Sequence, residues 1–543
     1  MTQRTQPPTS PLGPHQKSIT AALTQLARDN VIARIWDKDH TVWKDDPTEI
    51  TDRLGWLTIS RDMTEHVGEL RSFADEVRND GIRDVVLLGM GGSSLGPEVL
   101  RQCIGSAQGF PALTVLDSTV PARVGTVTRS IDPARTLFIV SSKSGGTIEP
   151  NSFYKHFRHI VESAVGAERT GRQFIAITDA GTSLAALGTA DGFRRVFENP
   201  PDLGGRYSVG SFFGLVPAAL CGMDCGKLLD RISDMAARCE AGPGVRNNPG
   251  GWLGAALGAL AAGGRDKLTL TASPEVASFG LWVEQLIAES TGKDGRGIVP
   301  VVNEPLLEPD AYGEDRFFVH VRLSGGDNAA ADVALERLRD IGHPVVTLEM
   351  EDVYDIGAEF FRWEMATAVA GHMLTIHPFD QPNVQQAKDV TSRVLETYVN
   401  EGALPDAADG SFTGLLEQAT QGDYLSIMAY VEETDGVTNA MNMLRQYAMR
   451  RHHIATTLGY GPRFLHSTGQ LHKGGPNSGL FLQVAADVRS DIPIPGDRFG
   501  FGTLAAAQAI GDYEALKQAG RRVVRLNLGN DAEAAVLRLL GSL

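Results

Sequence analysis

The sequence predicts an α/β fold: two successive parallel sheets, each sandwiched between helices, preceded by a helical arm and followed by an α/β extension. Two observations carry this reading. From Asp62 to Leu220, runs such as DVVLLGM, LTVLD, TLFIVSS and QFIAITD are apolar on both faces and alternate with helical stretches. That is the pattern of a parallel sheet covered on both sides. A second series follows, with strands at Lys267–Ala272, Phe317–Leu323 and Val345–Glu349, joined by crossovers expected to be right-handed.

In chain order, residues 1–60 form a polar, proline-rich arm that turns helical across Ala33–Trp56. MTEHVGELRSFADEVRNDG is the helix before DVVLLGM, PEVLRQCIG leads to LTVLD, and NSFYKHFRHIVESAVG lies between TLFIVSS and QFIAITD. The first sandwich spans 61–225, the second 226–395, and the extension 396–543. Gly402–Gly422 is small and polar, the composition of a linker or loop. An internal echo is present: RLRDIGHPVVTLEM (Arg337–Met350) resembles ALKQAGRRVVRLNL (Ala515–Leu528), and each lies downstream of a matching strand, DRFFVHVRL or SGLFLQVAA. Duplication and shared βαβ grammar both account for it.

The chain has 543 residues, enough for two to four domains at roughly 150 residues each. A net charge of −16 disfavours nucleic acid and anionic membrane as partners, so an anionic ligand needs a locally positive pocket. No apolar run is long enough for a transmembrane helix, and MTQRTQPPTSPLGP lacks the apolar core of a signal peptide. Four cysteines are too few for a disulfide framework, so reduced thiols in a cytoplasmic protein are expected. His452 and His453 are adjacent and lack zinc-ligand spacing; neither a metal nor a cofactor is expected.

Four segments carry the chemistry. In VVLLGMGGSSLGP and FIVSSKSGGT, an apolar run breaks into small residues, which leaves backbone N–H groups and hydroxyls facing outward beyond the strand. Gly92, Ser93 and Ser94 form the first candidate loop; Ser142, Lys143, Ser144 and Thr147 form the second, opening a helix expected after Pro150. A phosphate dianion suits such donors. In GGRYSVGS, glycines beside Arg206 aim a guanidinium inward, where it can steady a developing oxyanion. In FGLWVEQLIAESTGKD, Gln285 and Glu289 share one face of a helix that Gly292 ends. A glutamate in a dry pocket has its pKa raised toward neutrality and suits proton shuttling. Glu284 lies on another face.

These segments resemble those of glucose-6-phosphate isomerases, which are built from sugar isomerase (SIS) domains, and the form is closest to the isomerase half of transaldolase–isomerase fusions. FDQPNVQQAK (Phe379–Lys388) is similar to the family's late lysine motif, so the matches run in family order from Val85 to about Gln470. The resemblance implies two SIS-type sandwiches and isomerisation of D-glucose 6-phosphate and D-fructose 6-phosphate through an enediolate. It further implies phosphate held by Ser142, Ser144 and Thr147, Lys143 acting through its backbone, Glu289 as base, and Lys388 near the ring oxygens. The family's ring-opening histidine follows the glutamate motif in a segment like LHSMGQ. Here LLEPDAYGED (Leu306–Asp315) has none, and LHSTGQLHKGGP (Leu465–Pro476) is the nearest match. His466 is nominated as the acid, His472 second; His372 and His377 read as structural. Family dimers complete each site with a partner residue, and here both a homodimer and a self-sufficient monomer stay open. So do a dual glucose/mannose phosphate isomerase and a non-catalytic sugar-phosphate sensor, although a sensor has no need of Glu289.

Overall fold

A computed structural model describes residues 12–242, 244–405, 410–488 and 490–543. The arm contributes α1 (Gln16–Arg28), whose apolar stripe Ile19, Leu23 and Leu26 is buried. The expected helix across Ala33–Trp56 is absent: a short helix, Val31–Trp36, gives way to turns. Asp39 and Asp46 explain this, because their carboxylates accept the backbone N–H groups of Thr41 and Thr48 and close local turns instead.

The first sheet has order β2-β1-β3-β4-β5, all parallel, from β1 (Asp84–Gly89), β2 (Ala112–Leu116), β3 (Thr136–Ser141), β4 (Phe174–Asp179) and β5 (Arg195–Asn199). The order reverses between β1 and β3, the place where open parallel sheets bind ligands beyond their carboxyl ends. Both candidate phosphate loops lie there, one between β1 and α2 (Leu95–Cys103), the other between β3 and α3 (Ile148–Val165). α3 starts at Ile148, two residues before Pro150, which sits in the first turn where a missing N–H leaves no helical bond unmade.

The second sheet comprises β6 (Lys267–Ala272), β7 (Val299–Val302), β8 (Arg316–Leu323) and β9 (Val345–Met350), in order β7-β6-β8-β9 and parallel throughout. α4 (Phe279–Thr291) crosses from β6 to β7 and is buried along nearly its whole length. After the second sheet, α5 (Val384–Glu401) leads into the extension.

A third parallel sheet forms there from β10 (Tyr424–Tyr430), β11 (Ala455–Tyr460), β12 (Gly479–Ala485) and β13 (Arg522–Asn527), in order β11-β10-β12-β13. Its helices include α6 (Asp435–His452) and α7 (Phe501–Gln518). The strand order is that of the second sheet, and the echoing segments occupy matching places: β8 with β12, β9 with β13. Part of the expected linker, 406–409, lies outside the described residues.

The extension is clamped to both other sheets. Arg445 on α6 donates to the carbonyls of Val302 and Asn303 at the end of β7, and Glu304 accepts from the backbone and hydroxyl of Thr456 on β11. Arg463 makes a two-pronged contact with Asp117, just past β2, at 2.8 and 3.0 Å. α5 packs against α7, and Phe153, Val390, Val394, Phe501 and Leu504 join one apolar core with the first sheet.

Candidate active site

The Gly91–Ser93 turn after β1 approaches the rest of the molecule too closely for any side chain. A Cβ on Gly91, where φ is +53°, would lie 2.8 Å from the His466 carbonyl oxygen and 2.9 Å from Gln285 Nε2; one on Gly92 would collide with the Gly205 carbonyl. The glycines therefore allow three chain segments to converge. Ser93 is buried and its carbonyl accepts from Ser141, while the hydroxyl of fully buried Ser94 donates to the Gly91 carbonyl. Ser94 thus closes the turn.

The second loop ends at the N-terminus of α3. Ser144, Gly146 and Thr147 line a cavity of about 360 Å³, whose other walls include Lys388, His466, Lys473 and Gln508. Ser142 donates to the Thr147 hydroxyl at 3.1 Å and so braces the loop from behind. The Lys143 ammonium turns away to Asp179 and the Pro201 carbonyl, which leaves the loop its hydroxyls and the positive end of α3.

Arg206 is buried, and its guanidinium is almost fully engaged. It donates to Ser290 Oγ (2.8 Å), Gln381 Oε1 (2.9 Å) and the carbonyls of Pro378 and Asp380 (2.8 and 3.0 Å), with Nη1 3.6 Å from Glu289 Oε2. The helical spacing predicted for Gln285 and Glu289 is realised on α4: Gln285 Nε2 donates to Glu289 Oε2 at 3.1 Å and to the His466 carbonyl at 2.8 Å. α4 ends at Thr291, and Gly292 is packed against Leu471. Next along, Lys293 donates to Asp380 Oδ1 and the His377 carbonyl, both at 2.5 Å. Burial, aided by Arg206 and opposed by Asp380, pushes its ammonium down to about 7. Glu284 faces elsewhere, toward a cavity of about 110 Å³ shared with Arg445 and Arg463, and burial pushes its carboxyl up to about 8.

His466 enters from the third sheet, on the segment after β11 that Arg463 anchors to Asp117. Its Nε2 lies 2.9 Å from Oε1 of Glu149, in the first turn of α3. Burial would raise the Glu149 carboxyl, but the charge and hydrogen bond of His466, with Lys388 nearby, outweigh it and hold Glu149 below its usual range. An ionised Glu149 can only accept, so the hydrogen in this contact sits on His466 Nε2. His472, by contrast, is buried beside Phe464 and Phe481, and burial keeps its imidazole neutral. His372 and His377 bond the carbonyls of Val42 and Thr48.

The cavity walls include Ser144, Thr147, Lys388 and His466; Gln285 bonds the His466 carbonyl, Glu289 accepts from Gln285 and lies beside Arg206, and Gly92 closes on Gly205. Sequence reading missed Glu149, whose only signal is a carboxylate two residues past a hydroxyl loop, and missed Gln508 and Lys473 entirely.

The fold and the site together define a class of α/β protein: parallel sheets covered by helices, with hydroxyl-rich loops at the strand ends where open sheets bind their ligands. Residues 39–295 match the phosphoglucose isomerase family model. A glucose-6-phosphate isomerase of Symbiobacterium thermophilum is 29% identical over 383 residues, covering 62% of this chain and 85% of that protein. One of Citrifermentans bemidjiense is 28% identical over 394 residues, covering 62% and 72%. Over that span the chain is similar to the phosphoglucose isomerase family. The fold is shared with a hypothetical protein of Thermus thermophilus (TM-score 0.59, 24% identity, 70% of this chain and 97% of that one). It is also shared with a glucose-6-phosphate isomerase of Chlamydia trachomatis (TM-score 0.58, 17% identity, 70% and 86%). No helix among the described residues is long and apolar enough to cross a membrane.

Proposed function

We propose that this chain interconverts D-glucose 6-phosphate and D-fructose 6-phosphate by moving one proton between C1 and C2. The observation that carries the site assignment is the meeting of His466 and Glu149 at 2.9 Å beside the hydroxyl loop, with the Gln285–Glu289–Arg206 group bonded to the same histidine's backbone. Ser144, Thr147 and the N-terminus of α3 hold the phosphate. His466 Nδ1 gives its proton to the ring oxygen, with Glu149 stabilising the imidazolium and Lys388 adding positive charge near the oxygens. Glu289 removes the proton from one carbon and returns it to the other; Arg206 steadies the enediolate between the two transfers. Coupling fructose 6-phosphate turnover to glucose-6-phosphate dehydrogenase tests the reaction. Absence of product would overturn it, and a run from mannose 6-phosphate tests a second hexose. A cytoplasmic setting fits the four unpaired cysteines.

Phosphate recognition has its own test. A hydrogen bond to a charged group contributes about 1.5–3 kcal/mol, so Ser144→Ala with Thr147→Ala should weaken substrate binding at least about tenfold. Inorganic phosphate should lose inhibitory power in parallel. Unchanged affinity for both ligands would move the phosphate elsewhere, to Ser93 first.

All the proposed groups belong to one chain, which supports a site that a monomer can complete. Turnover per chain should stay constant on dilution to concentrations where light scattering finds only the monomer. Activity that falls on dilution and returns with second-order kinetics would instead require a partner subunit.

A further inference from the structure

We propose that Gln508, on α7 of the C-terminal extension, is a positioning residue for ring opening: it holds the Glu149 carboxylate in the one orientation that faces His466. The inference rests on the reading of His466 as the ring-opening acid.

Gln508 is buried and reaches the cavity wall from α7. Its Nε2 donates to Glu149 Oε1 at 2.7 Å, the same oxygen that faces His466 Nε2. Its own Oε1 accepts from the hydroxyl of fully buried Thr119 at 2.7 Å. The two contacts fix the sense of the amide, since a flipped side chain would set its oxygen against a carboxylate. Thr119, Gln508, Glu149 and His466 are therefore joined by hydrogen bonds from the turn after β2 to the cavity, with Glu149 accepting from both of its neighbours. The backbone is held as well: the Tyr430 hydroxyl on β10 donates to the Gln508 carbonyl at 3.5 Å.

The neighbouring charges explain why Glu149 needs holding. Lys388 on α5 lines the same cavity and attracts Glu149. Lys473 also lines it but is tied to Asp512, one turn along from Gln508 on α7, at 2.5 Å. Lys388 is therefore the cation able to draw Glu149 off His466, and the Gln508 amide opposes that swing. An acid whose partner carboxylate is misplaced loses both its tautomer and its orientation, whereas groups that bind phosphate or move the carbon-bound proton keep theirs. The extension thus supplies the acid on one segment and the brace for its carboxylate on another.

The test compares two ketoses on the full chain: fructose 6-phosphate, and 5-deoxyfructose 6-phosphate, which lacks the hydroxyl that closes the furanose ring. Gln508→Met keeps the length of the side chain and removes the donor. Its kcat on fructose 6-phosphate should fall about tenfold, with KM and turnover of the open-chain analogue within about twofold of wild type. Thr119→Val should shift the same ratio by a smaller factor, and Thr119→Ser should restore it. Should Gln508→Met fail to fold, the two Thr119 variants carry the comparison. Equal loss on both substrates, or none on fructose 6-phosphate, would overturn the proposal. His466→Ala separates the two levels: if it leaves fructose 6-phosphate turnover intact, the acid assignment itself is wrong, whereas a slow His466→Ala beside a normal Gln508→Met removes only the positioning role.

Discussion

Glu289→Gln should abolish exchange of the C2 hydrogen with solvent and lower turnover by about 10²–10⁴, the usual contribution of a positioned base, while leaving the fold and phosphate affinity intact. The substitution is close to isosteric, and Gln285 and Arg206 remain in place around it. The phosphate is held some distance away by Ser144 and Thr147, so KM for fructose 6-phosphate and inhibition by inorganic phosphate should barely move. Neither neighbouring carboxylate is placed to substitute. Glu284 opens onto the separate cavity with Arg445 and Arg463, and Glu149 is engaged by His466 and Gln508. Solvent-deuterium incorporation into product, read by mass spectrometry alongside the coupled assay, checks the claim. Near-normal turnover would remove Glu289 from the role of base.

The sequence carried the first sandwich well because its strands are buried on both faces, and each candidate loop begins where apolar residues give way to glycine and serine. β7 was missed: it is four residues long and contains Pro300, so it lacks the length of a strand signal. β5 was missed for a different reason, since it is a half-exposed edge reading RVFEN. β10 and β11 went unassigned although β12 and β13 of the same sheet were marked by the internal echo; YLSIMAY is wholly buried, and its one apolar run does not by itself separate strand from helix.

At the site, motif spacing was enough wherever a residue acts within its own segment, as with Gln285 and Glu289 on one helix face. His466 was found because its neighbours repeat a recognisable string, although no local periodicity ties it to Glu289. Glu149 was lost when the helix was expected after Pro150; a start at Ile148 puts a carboxylate in the first turn, facing the cavity. Gln508 had no local signal, since its role depends on α7 folding back against the first sheet some 360 residues away in sequence. Side chains that act through another residue are set by tertiary packing, which short-range patterns do not encode.

His466→Ala should slow isomerisation of cyclic fructose 6-phosphate by about 10²–10⁴ and spare 5-deoxyfructose 6-phosphate. A general acid at the ring oxygen helps only the opening step, so a substrate with no ring to open has no use for it. Glu289 and Arg206 keep their contacts, because Gln285 bonds the backbone carbonyl of residue 466 and not its side chain. Affinity should also hold, since Ser144 and Thr147 lie on a different segment. The variant leaves Glu149 facing Lys388 without its imidazole, and the ammonium becomes the remaining cation able to reach the ring oxygen. Lys388→Met added to His466→Ala should therefore lower the residual turnover of the cyclic substrate further, while the open-chain analogue stays near wild type. If His466→Ala slows both ketoses alike, the histidine acts in the carbon-proton transfer or in folding, and ring opening must be assigned to Lys388 or to water.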